Sequence, residues 1–157
     1  MGYATVIVGT DGSGPAEEAV RTAAELAAAG GMRLVVVSAF GTAPQGDPGS
    51  SPVVTADRHC AEEVAGRGRA LAEELGVADL EALTVEGPSA DVLLEAAQQA
   101  GADLLVLGSR GVTKPQRALL GATANRVSHH AACDVLIVHR RPGGSRLSLS
   151  GAHGRTS

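Results

Sequence analysis

Aromatic side chains are almost missing: the 157 residues include one tyrosine, one phenylalanine and no tryptophan. Proteins that bind single strands without sequence preference stack bases on aromatic platforms, so that role is not expected. A formal net charge of −4 argues in the same direction, because nucleic-acid binders carry a basic footprint. Cysteine is scarce as well. Cys60 and Cys133 stand alone with no C-x-x-C, which indicates neither a zinc knuckle nor a disulfide framework and fits a reducing cytoplasm. No apolar run approaches the ~20 residues needed to span a bilayer. The first residues lead straight into a strand pattern and lack a signal-peptide layout. The Met1-Gly2 start lacks the Ser or Thr of a myristoylation pattern, since Val6 stands there. Neither G-x-G-x-x-G nor G-x-x-x-x-G-K-[ST] occurs, so the dinucleotide fingerprint and the P-loop are both absent. No catalytic triad and no pair of carboxylates at a convincing spacing is present.

What is there is a large supply of Ala, Val, Leu and Ile, with hydrophobic residues at 44% of the chain. That is enough to bury about 70% of the unfolded surface. One domain is expected over residues 1–140, followed by a Gly-, Ser- and Arg-rich tail, 141–157, expected to be disordered.

Five apolar runs read as strands: Tyr3–Gly9, Arg33–Ala39, Leu80–Glu86, Leu104–Leu107 and Asp134–His139. The third alternates as if one face were exposed. Between them lie helical patterns. The first starts near Pro15, with Glu17 and Glu18 in the turn where the helix dipole favours acids. Its apolar face is Ala19, Val20, Ala23, Leu26 and Ala27, and Gly30-Gly31 ends it. The second spans about Thr55–Leu75 and follows a long Gly-, Pro- and Ser-rich loop, Phe40–Val54. Gly66 and Gly68 weaken its middle by ~1 kcal/mol each relative to Ala. A third helix follows Gly87-Pro88-Ser89 and ends near Gly101, and a shorter one covers Ala122–His130. Continuous apolar strands alternating with helices predict an α/β fold, a parallel sheet covered on both faces. Ligands of such sheets sit beyond the carboxyl ends of the strands, where strand order reverses.

Two loops at those ends carry chemistry. Thr10-Asp11-Gly12-Ser13-Gly14 follows the first strand. Asp11 either caps the turn or offers its carboxylate to a ribose hydroxyl or an adenine edge. The second stretch, Gly108 to Cys133, holds no Asp or Glu but carries Arg110, Lys114, Arg117 and Arg126. Its glycines leave backbone N–H groups open to a phosphate, and its charge favours an anion. A tight strand-to-helix connection with solvated arginines is the other reading. His129 and His130 are neighbours on a helix, face directions about 100° apart, and suit a helix C-terminus better than a metal. His59 and Cys60 fit a helix surface. Asp103 and Asp134, each just before a strand, fit turn caps.

Three stretches in order resemble the universal stress protein family in its nucleotide-binding branch. They are VGTDGSGPAEEAV from Val8, EGPSADVLLEAAQQAGADLLVLGSRG from Glu86, and the spacing G-x2-G-x9-G formed by Gly108, Gly111 and Gly121. The resemblance runs from about Tyr3 to Val138. It implies a three-layer, Rossmann-like α/β/α fold with strand order 3-2-1-4-5, as in the adenine nucleotide alpha hydrolases. It implies adenine near Gly9, Thr10 and Ala39, with Asp11 on the base or ribose. The phosphates would run from Leu107 and Gly108 along Arg110 and Gly111 to Gly121, Ala122 and Thr123. It also implies ATP or another adenine nucleotide, with Mg²⁺ as a companion, and a homodimer through the last strand, Asp134–His139. One departure stands out: the family's ATP binders place Ser or Thr after the last glycine, where this chain has Ala122 and then Thr123. Losing a hydrogen bond to a charged group costs roughly 1.5–3 kcal/mol. Weaker ATP binding, a preference for AMP, ADP or cyclic AMP, or a fold with little binding would follow. Three functions compete: a nucleotide-binding regulatory dimer, a slow ATPase or self-phosphorylating enzyme using Ser13, Ser109 or Thr113, and an interaction module that binds no nucleotide.

Overall fold

The computed structural model describes residues 3–41, 57–109 and 121–139. Most of the predicted Phe40–Val54 loop, the tail, and the stretch holding Arg110, Gly111, Lys114 and Arg117 lie outside the described residues. Among the described residues nine elements alternate: β1 (Thr5–Gly9), α1 (Gly14–Gly30), β2 (Arg33–Phe40), α2 (Arg58–Glu74), β3 (Leu80–Glu86), α3 (Ser89–Ala100), β4 (Leu104–Gly108), α4 (Ala122–His130) and β5 (Asp134–Val138). The strands form one parallel sheet in the order β3-β2-β1-β4-β5.

The sheet buries both faces because its strands are apolar on both. Val6 and Val8 of β1, Val36 of β2 and Val106 of β4 point to one side, where α1 and α2 cover them. Ile7, Val35, Val37, Leu105 and Leu107 point to the other, beneath α3 and α4. The central strands are therefore shielded from water on both sides. The edge strand β3 is half-buried from Leu80 to Val85 rather than exposed on one face, and only its last residue, Glu86, is exposed. The reason is its pattern: Leu80 and Ala82 join the first cluster, while Leu83 and Val85 join the second.

Local signals set the helix ends. Ser13 caps α1, its Oγ accepting from the Ala16 N–H at 3.3 Å. Gly31 ends α1 in the left-handed conformation, φ 64°. The buried stripe of α1 is nearly all alanine with Val20, so the helix lies close on the sheet. Leu26, expected in that stripe, is 38% exposed, and Ala24 is buried in its place. The α2 helix begins at Arg58 rather than Thr55, because Asp57 caps it, accepting from the Cys60 N–H at 2.8 Å. Gly68 lies on the buried face of α2, where a Cβ would come within 2.9 Å of Val36 Cγ1. Bare backbone at that point brings α2 down onto β2.

At the amino edge of the sheet, side chains join strands far apart in sequence. One carboxylate oxygen of Asp103 accepts from the N–H groups of Ala4 and Thr5, at 2.8 and 3.0 Å. These bonds hold the Asp103 carboxyl below its ordinary pKa, the Thr5 bond contributing most. Tyr3 Oη donates to Asp134 at 2.8 Å, and that bond raises the phenol's pKa. Arg33 at the start of β2 pairs with Glu81 of β3. The two aspartates expected to cap turns thus tie strand beginnings together.

Candidate functional site

Strand order reverses between β1 and β4, which lie side by side with Val8 opposite Val106. α1, which follows β1, covers one face of the sheet, and α4, the next described helix after β4, covers the other. Such a parting of connections makes a recess in doubly wound folds.

The β1–α1 loop holds its own shape. Thr10 N–H continues the sheet by donating to the Val37 carbonyl at 2.9 Å. Thr10 Oγ1 accepts from the Gly12 N–H at 3.2 Å, and Asp11 Oδ1 from the Ser13 N–H at 2.9 Å. With the Ser13 cap on Ala16, three successive polar side chains brace the turn. Gly12 has φ +83°, which favours glycine. Asp11 therefore does cap the turn through one carboxylate oxygen, and the residue is exposed.

Gly9 and Gly108 end the two strands, and at Gly108 packing against backbone by itself demands glycine. A Cβ on Gly108 would lie 2.7 Å from the backbone carbon and oxygen of Pro15 and 3.0 Å from the Ala16 nitrogen. A Cβ on Gly9 would lie 2.7 Å from Leu93 Cδ1. The start of α1 thus rests directly on the end of β4. Ala39, at the end of β2, is half-buried and packs toward the α3 side. Leu107 is buried among the same residues and is not on the surface.

Gly121 enters this edge through backbone. Ser109 N–H donates to the Val138 carbonyl at 2.9 Å, and the Ser109 carbonyl accepts from the Gly121 N–H at 2.8 Å. The start of α4 is thereby fixed beside the end of β4. Gly121 is the N-cap in extended conformation, and no side chain caps the helix. The first-turn N–H groups of such a helix have no intrahelical acceptor and carry the positive end of its dipole. Ala122 is exposed there and Thr123 half-exposed. Arg126, one of the four cations of the acid-free stretch, is engaged elsewhere: it pairs with Asp91 of α3 at 3.0 Å. Ser109 is only 4% exposed, which hides one of the hydroxyls a self-phosphorylation scheme would use.

Gly9, Thr10, Asp11, Ala39, Leu107, Gly108, Gly121, Ala122 and Thr123 thus sit on or directly beneath the carboxyl edge at three neighbouring strand ends. Arg110 and Gly111 fall outside the described residues. Sequence reasoning missed the Ser109–Gly121 bond, the Arg126–Asp91 pair and Arg67 of α2, whose Nη2 comes within 3.4 Å of where a Gly12 Cβ would lie.

The strand order and the helices on both faces define a doubly wound α/β protein whose switch point lies between β1 and β4. The pattern of the universal stress protein family matches residues 2–139, and the chain belongs to that family. It is 33% identical over 144 residues to a universal stress protein of Mycobacterium tuberculosis strain H37Rv, covering 87% of this chain and 97% of that one. Among solved structures, a universal stress protein in complex with cAMP is 33% identical with a TM-score of 0.70, covering 88% of this chain and 98% of the other. The universal stress protein of Archaeoglobus fulgidus in complex with dAMP, 24% identical with a TM-score of 0.65, covers 88% and 99% and shares the fold.

Proposed function

We propose that this protein binds an adenine nucleotide across the carboxyl ends of β1 and β4 and acts as a nucleotide-responsive stress regulator. The observation that carries the reading is the pinning of the uncapped α4 start beside the β4 end, through the Gly121–Ser109 bond. A helix N-terminus with free donors suits phosphate oxygens. Asp11, exposed and capping through one oxygen, suits a ribose or adenine donor, or a Mg²⁺ ion accompanying a polyphosphate. Arg110 and Gly111 belong to the reading by the family's glycine spacing. The 33% identical relative solved with cAMP supports the adenine nucleotide class. Ala122, lacking a hydroxyl, favours a ligand with fewer phosphates over ATP. The test is mass spectrometry of nucleotide released from freshly purified protein, followed by calorimetry with ATP, AMP and cAMP. Bound or titratable adenine nucleotide is the expected result; none released and no heat with any of the three overturns the reading.

We further infer a homodimer through β5. That strand is apolar, lies at the sheet edge and is only half-buried from Val135 to Val138. Such an edge pairs readily with another copy and is a liability unpaired. Light scattering during gel filtration is expected to report twice the chain mass; a monomer at all concentrations overturns it.

A further inference from the structure

Between α1 and α2, below the β1–α1 loop, the structure opens a cleft of about 140 Å³. Val20, Val64 and Leu71 give it an apolar floor, while Thr10, Gly12 and Arg67 stand at its rim. It exists because two positions lack side chains. Gly68 clears the α2 side, and Gly12 clears the mouth, where a Cβ would press to 3.1 Å on Val64 Cγ2. An engineered cavity of about 150 Å³ holds one benzene ring, so this cleft takes a single ring or a branched chain.

The charges around it are unequal. Glu17 also lines the cleft but lies 3.8 Å from Arg21 on its own helix. Every other described arginine, namely Arg21, Arg33, Arg58, Arg69 and Arg126, has a carboxylate within 4.0 Å. Arg67 has none among the described residues. The residue one turn before it, Glu63, faces His59 instead, at 3.2 Å. The neighbouring Arg69 takes Glu73. Among the described residues, the cleft thus joins an apolar floor to a guanidinium with no carboxylate partner, whose planar fork matches a carboxylate with two parallel hydrogen bonds.

We propose that this cleft is a small-molecule site, separate from the nucleotide edge, for a monocarboxylate with one apolar ring or branched chain, its carboxylate on Arg67. The inference does not rest on the nucleotide reading, although Thr10 and Gly12 border both places. Nitrogen–proton NMR of the full chain, without nucleotide, tests it with sodium benzoate as the probe. Benzyl alcohol and benzylamine serve as comparison probes with the same ring. Benzoate is expected to move the amide signals of Gly12, Val64 and Gly68 along a curve that saturates in the millimolar range. Neither comparison probe should do so. Arg67→Gln, at an exposed position, should keep the parent melting temperature and weaken benzoate roughly tenfold or more; Arg67→Lys should retain part of the affinity. Absence of a saturable benzoate curve at these amides, an unchanged curve in Arg67→Gln, or an equal response to benzyl alcohol overturns the proposal.

Discussion

The two ends of the sheet are built by opposite rules. At the amino end, polar side chains reach across the sequence: Tyr3 to Asp134, Asp103 to Ala4 and Thr5, Arg33 to Glu81. At the carboxyl end, among the described residues, the β1–α1 loop's side chains reach two or three residues: Thr10 to Gly12, Asp11 to Ser13, Ser13 to Ala16. Long-range bonds spend polar groups on fixing strand order. Local side-chain bonds shape a loop whose tie to the sheet is a backbone one, from the Thr10 N–H to the Val37 carbonyl. The amino end is thus tied across strands, and the carboxyl end is where we propose the nucleotide binds, the place ligands take in doubly wound sheets.

The division is not absolute, and Gly108 is where it can be broken most visibly. Its missing Cβ would meet the Pro15 backbone, which cannot swing aside. Gly108→Val is expected to lose about 3 kcal/mol in a urea melt, the cost of overpacking a rigid contact. A variant of parent stability would show that α1 moves off β4 easily, and that this glycine serves the ligand alone.

Asp11→Ala sharpens the contrast. It removes an exposed local bond, so the melting temperature should hardly change, while affinity for AMP or cAMP should fall roughly tenfold, by calorimetry. Ala122→Ser is expected to shift affinity the other way, most for ATP. If Asp11→Ala instead lowered stability and left affinity alone, the carboxyl end would be structural like its opposite.

Two glycines of α2 should respond with opposite signs. Gly66 has open space around its Cβ position, whereas Gly68 faces Val36 Cγ1 at 2.9 Å. Gly66→Ala is expected to add up to about 1 kcal/mol by helix propensity. Gly68→Ala gains the same propensity but must push into the core, for a net loss of about 1 kcal/mol. Equal gains in thermal melts would mean that α2 does not depend on close approach over the cleft.

The smallest effect is expected at the amino end, and it depends on pH. The Asp103 carboxyl is lowered from 3.8, chiefly by its bond from the Thr5 N–H. A depressed folded pKa contributes stability above the unfolded value, and that contribution disappears as pH falls through the folded one. The melting-temperature gap between the parent and Asp103→Asn should therefore be full at neutral pH and narrow as the pH drops below 3.8. A gap that stays constant into acid would remove the carboxylate from the account.

Much of the fold was legible because its signals are local. Runs such as TVIVG and RLVVVSA, broken by Gly-Gly, Gly-Pro and Asp-Gly-Ser, announce buried parallel strands and helix boundaries before any tertiary contact is known. The turn at Asp11 was legible for the same reason. What stayed hidden is non-local. Asp103 reads as a turn cap until the sheet brings Thr5 beside it. Gly68 reads as a weak point in a helix until Val36 is seen beneath it. Arg126 reads as a free cation until its pair with Asp91 of α3 is seen, and the packing role of Gly108 is invisible until Pro15 is found against it. Leu26 sits at the margin of the α1 stripe, where helical spacing alone does not decide which side of the boundary a residue takes.

The most direct test of the carboxyl-end account is calorimetric titration of the nucleotide-free protein with cAMP, AMP and ATP. A saturable heat with at least one of them, weakened in Asp11→Ala at unchanged melting temperature, is the predicted result. A folded parent protein that gives no heat with any of the three, up to millimolar concentration, would contradict it.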